Sequence, residues 1–89
     1  MEYKTDLYIL NSAKYNLLVI LEPYPEFFTL EPGEHLTITG VGGNPGDNFE
    51  VQYEGKYISV YAWPNSIATA YRDGVELDPE DQVFPKDDP

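Results

Sequence analysis

The chain contains no cysteine. That excludes a disulfide framework, a thiolate metal site and a cysteine nucleophile, and it fits a reducing compartment. Histidine occurs once, as His35, so a metal site built on several imidazoles has no material. Basic residues are scarce: five Lys and Arg stand against 16 Asp and Glu, for a formal net charge of −11 at pH 7. A nucleic-acid binder neutralises phosphates with Lys and Arg, and an anionic membrane surface makes the same demand. Neither is therefore expected as a partner. A basic protein partner is compatible with the charge, and solubility is its plainer role. Long apolar runs are also missing. None approaches the roughly 20 residues of a membrane-spanning helix, and the opening MEYKTD lacks the basic and apolar regions of a signal peptide. These absences predict a soluble, unprocessed, cytoplasmic protein without metal or cofactor.

Aromatics and turn formers are plentiful. Eight Tyr, four Phe and one Trp favour strands, and eight Pro with seven Gly punctuate them. A chain of 89 residues holds one domain with one modest core. Strands are predicted at YKTDLYIL (Leu7 and Ile9 on one face, Tyr8 and Leu10 on the other), LLVIL, FFTL, the alternating stretch from His35 to Thr39, and IATAYR followed by a short Val75-Glu76-Leu77. LLVIL is continuous in its apolar character, which predicts burial on both faces. Glu31-Pro32-Gly33-Glu34 has the residue order of a type II turn, and Asp73-Gly74 is a hairpin signal. Residues 40–47, GVGGNPGD, carry four Gly and one Pro. No segment has helical periodicity. The predicted fold is all-β: a small antiparallel sandwich or jelly-roll-like barrel of about seven or eight short strands. It spans residues 1–78, and residues 79–89 form an acidic, Pro-rich, flexible tail anchored at most by Val83 and Phe84.

The stretch NFEVQYEGKYISVYAW, residues 48–63, reads as the central hairpin. With Glu54-Gly55 as a two-residue loop, Tyr53 faces Lys56, Val51 faces Ile58 and Phe49 faces Val60. Alternation then sends Phe49, Val51, Ile58, Val60 and Ala62 to the core. Glu50, Gln52, Tyr57, Ser59, Tyr61 and Trp63 share the opposite face. The candidate binding face is Glu50, Gln52, Tyr57, Tyr61 and Trp63, where aromatics form a platform able to stack on a sugar or anchor a protein. The alternative is ordinary packing of the aromatics against a second sheet or under the tail, with Phe84 covering them, and that is the commoner fate of such side chains.

Other chemistry lacks parts. Asn44, Asp47, Asn48 and Glu50 do not have the spacing of an EF-hand. Ser12, Ser59 and Ser66 sit in no nucleophile-elbow context. The glycine-rich loop has no GK[ST] and opens no helix. Sixteen acids make any one carboxylate pair uninformative.

Residues 18–40, LVILEPYPEFFTLEPGEHLTITG, with the hairpin and the YRDGVEL ending, resemble a family of small bacterial β proteins. They share an apolar strand ending in Leu-Glu-Pro, an aromatic strand, then Pro-Gly-Glu before an alternating strand. The resemblance covers roughly residues 16–77 and implies a compact β fold without bringing an activity. LEPGEHLTI is also similar to the entry into a cupin barrel, where histidines hold a metal. Only His35 is present, so that resemblance implies shape alone.

These readings predict a non-enzymatic protein-interaction module that uses the hairpin face, steered towards a basic partner, as a monomer or as a homodimer through a sheet edge. The alternatives are a carbohydrate- or small-ligand-binding domain using the aromatic face, and a cofactor-free cupin-like enzyme with His35 and Glu34 as acid and base.

Overall fold

Alternation in β1 (Lys4–Leu10) and β4 (His35–Gly42) decides which side of each strand is apolar, and pairing aligns the apolar sides. Leu7 lies opposite Ile38 and Ile9 opposite Leu36, so one face of the pair is aliphatic and the other carries Tyr8, Thr37 and Thr39. The computed structural model describes residues 2–81. The remaining strands are β2 (Leu17–Glu22), β3 (Glu26–Leu30), β5 (Glu50–Tyr53), β6 (Tyr57–Tyr61), β7 (Ser66–Arg72) and β8 (Val75–Glu76). No helix occurs among the described residues, so none there is long and apolar enough to cross a membrane.

Two four-stranded sheets result. Sheet A has the order β1-β4-β7-β8 and sheet B the order β3-β2-β6-β5. Val19, Leu21, Phe28, Leu30 and Val60 of sheet B meet Leu36, Ile38 and Ala70 of sheet A in one core. The fold is thus an all-β sandwich. Every pairing is antiparallel except β2 with β6, which run parallel. β2 lies at the centre of its sheet, and Leu18, Val19, Ile20 and Leu21 are all buried, as a continuous apolar run demands. Its outer-facing residues Leu18 and Ile20 join Phe27 and Tyr57 in a second apolar cluster on the side of sheet B away from sheet A.

Turn chemistry matches the local sequence. Glu34 N–H donates to the Glu31 carbonyl at 2.9 Å, and Gly33 has φ of 85°, as the third position of a type II turn requires. Asp73 and Gly74 both have positive φ, 51° and 81°, the pattern of a type I′ hairpin. Asn11 directly follows β1 and is 3 % exposed. Its Nδ2 donates to the carbonyls of Tyr15 (2.9 Å) and Leu30 (2.8 Å), and its Oδ1 accepts from Ala13 N–H (3.0 Å). Its backbone also pairs with Glu34 and Gly33. One side chain therefore ties the end of sheet A to the end of β3 in sheet B.

Three sequence expectations are corrected. The central hairpin pairs two residues out of the predicted register: Tyr53 faces Ile58 and Val51 faces Val60. The Glu54 N–H donates to the Tyr57 carbonyl at 2.9 Å, so the loop is Gly55-Lys56, with Gly55 taking the positive φ (89°) of a type II′ first position. A slip of two preserves the faces. Val51 nevertheless leaves the core: it is 48 % exposed, on the edge strand of its sheet. The third correction concerns the boundary at residue 78. Glu80 bridges to Phe27, its N–H donating to the Phe27 carbonyl at 2.7 Å. Its carboxylate accepts from the Thr29 N–H (2.8 Å) and hydroxyl (2.7 Å). Ordered pairing thus runs beyond residue 78, while Val83 and Phe84 lie outside the described residues.

Candidate functional site

The predicted hairpin face divides into two halves. On β5, Glu50 and Gln52 are exposed, and Gln52 Nε2 donates to Glu50 Oε2 at 2.6 Å. On β6, Tyr57 and Tyr61 are half-buried, with Tyr61 directly opposite Glu50. Trp63 is not on this face. It is 7 % exposed, because β6 stops at Tyr61 and strand alternation no longer governs where the indole goes. Its Nε1 donates to the Gly42 carbonyl at 3.0 Å, and Tyr3 and Phe49 meet it edge-on at centroid distances of 5.9 and 5.0 Å. Gly40 makes room for it: a Cβ at that position would lie 2.4 Å from Trp63 Cη2. The emission of Trp63 is accordingly expected to be blue-shifted and resistant to a neutral quencher. A red maximum with easy quenching would contradict this burial.

What remains of the hairpin site is an edge. β5 has β6 on one side and no strand on the other among the described residues. All four of its residues are exposed. Antiparallel pairs alternate between hydrogen-bonded and non-hydrogen-bonded. Because Glu54 and Tyr57 are joined by a backbone bond, the register assigns Gln52–Ser59 and Glu50–Tyr61 to the bonded class. The N–H and C=O groups of Val51 and Tyr53 then point to the open edge. Side chains alternate around it: Glu50 and Gln52 on one face, Val51 and Tyr53 (78 % exposed) on the other.

A second site lies on the outer face of sheet A. There Tyr8, Thr37 and Tyr71 stand in one row across β1, β4 and β7. They line an open trough of about 560 Å³. The Tyr8 ring stacks on the His35 imidazole at 5.4 Å with a 27° tilt, and His35 Nε2 lies 3.1 Å from Asp73 Oδ1. In the next row, the Thr39 hydroxyl donates to Asp6 Oδ1 at 2.7 Å. Sequence alternation already separates Tyr8 from Leu7 and Ile9 and puts His35, Thr37 and Thr39 outward. The strand order that brings Tyr8 and Tyr71 to either side of Thr37 has no local signal. A further cleft of about 600 Å³ opens at the sandwich end between Leu21, Glu22, Tyr24, Trp63 and Asn65. Half of its lining comes from β2, β3 and β7, and the rest from the connections at residues 23–24 and 62–65.

The His35–Glu34 acid–base pair is not assembled. Glu34 Oε1 accepts from the Glu31 N–H at 2.7 Å and its Oε2 lies 3.8 Å from Arg72, while His35 faces Asp73. Among the described residues, no three His, Cys, Asp or Glu side chains converge as a metal site would need. No family model, curated protein or solved structure matches this chain.

Proposed function

We propose that this domain is a non-enzymatic protein-interaction module that takes an extended, basic segment of a partner along the free edge of β5. The observation carrying this reading is the exposure of all four β5 residues beside an edge that no strand among the described residues pairs. Strand addition to such an edge draws affinity from main-chain hydrogen bonds and specificity from alternate side chains. An added strand would lay one set of side chains near Glu50, Gln52 and Glu54, which favours Lys or Arg. It would lay the other set near Val51 and Tyr53, which favours apolar residues. The net charge of −11 steers a basic segment in and repels a second copy of the chain. The lack of cysteine fits a cytoplasmic setting.

The test uses the full chain and an alternating Lys–Val peptide, followed by backbone amide shifts. Shifts are expected at Glu50, Val51, Gln52 and Tyr53, with affinity falling as salt is added. Val51→Pro removes an edge N–H while leaving the β5–β6 ladder intact, so it should abolish binding with the fold retained; Val51→Thr should not. Shifts elsewhere, or binding indifferent both to salt and to Val51→Pro, would reject the reading.

A further inference from the structure

We propose that the trough on the outer face of sheet A is a binding site for a neutral oligosaccharide, distinct from the β5 edge and independent of the peptide reading. Tyr8 and Tyr71 are two strand spacings apart, about 9.5 Å between backbones, on either side of Thr37. Tyr8 is 61 % exposed yet held in place, since its ring lies on His35 and His35 is held by Asp73. A wall fixed before the ligand arrives reduces the ordering cost of binding. The Thr37 hydroxyl has no hydrogen-bond partner among the described residues and faces the same space.

A sugar ring matches this arrangement better than other ligand classes do. Its C–H faces suit tyrosine rings, and its hydroxyls suit the Thr37 hydroxyl and the phenol groups, since tyrosine combines an apolar body with a polar tip. An anionic ligand meets the net charge of −11. An organic cation would meet Lys4 in the lining, and the carboxylate of Asp73 is engaged by His35. A wholly apolar ligand would strand the hydroxyl floor. From His35 to Val41 the β4 floor runs about 20 Å, so a short oligosaccharide fits it better than a single ring.

The experiment titrates the full chain with cellotetraose, maltotetraose, xylotetraose and chitotetraose, each to about 10 mM, a range that captures weak binding. At least one is expected to shift the amides of Thr37, Thr39 and Tyr71 while leaving those of β5 unmoved. Tyr8→Ala and Tyr71→Ala should each weaken that binding by about ten-fold. Thr37→Val, which keeps the shape and removes the hydroxyl, should weaken it by a smaller factor. Trp63 emission should not change, because the indole lies in the core. Absence of shifts from all four sugars overturns the proposal. So does a response to choline in their place, which would mark a cation cage, or sugar binding indifferent to both tyrosine substitutions.

Discussion

Trp63→Ala is expected to cost about 3–5 kcal/mol of folding free energy. A domain of this size holds about 4–13 kcal/mol in total, so the variant should be marginal at room temperature. The cost has two sources. The indole is 7 % exposed and packs edge-on against Tyr3 and Phe49, so its removal leaves a cavity in contact with both rings. The Gly42 carbonyl also loses the donor that reaches it at 3.0 Å. Urea unfolding followed by circular dichroism measures the loss. A partner experiment isolates the close fit with Gly40, where an added Cβ would meet Trp63 Cη2 at 2.4 Å and Cζ3 at 2.8 Å. Gly40→Ala alone should destabilise by about 1–3 kcal/mol through overpacking. Placed in Trp63→Ala, the same methyl enters the cavity and its cost should vanish or reverse. Strict additivity of the two changes would show that the glycine and the indole are not in register as described.

Asn11→Ala is expected to cost about 2–4 kcal/mol, from hydrogen bonding and not from packing. The amide serves three backbone groups at once, and the Leu30 carbonyl it reaches is buried. Truncation leaves these groups unpaired where water has poor access. Asn11→Asp keeps the shape and separates the two explanations. A carboxylate accepts from Ala13 but sets an oxygen against the carbonyls of Tyr15 and Leu30, so Asp should be no better than Ala. Urea midpoints of the three proteins decide the matter, and a wild-type midpoint for Asn11→Asp would refute the donor role.

Much of the fold was legible because β structure writes itself locally. Alternation in YKTDLYIL separates the two faces of β1, alternation from His35 to Thr39 identifies the inner and outer faces of β4, and the run LLVIL identifies the strand buried on both sides. The hairpin prediction failed in a limited way. Glycine sits at the first loop position and not the second, so the register moved by two while the faces held. Trp63 was misplaced because a period of two was carried past the end of the strand at Tyr61. Val51 was misplaced because a strand's place at the edge of its sheet is a property of the whole assembly. The trough was invisible for the same reason: Tyr8 and Tyr71 are 63 positions apart in the chain (71 − 8) and become neighbours only through β4.

The parallel pairing of β2 with β6 bears on how the chain is made. β2 reaches the ribosomal exit long before β6, since Val19 must wait for Ile58. Until then LLVIL is paired only with β3, and its other edge offers unpaired amides beside some of the most apolar side chains in the protein. A nascent or prematurely terminated chain that ends before Tyr57 therefore carries the kind of edge that seeds aggregation.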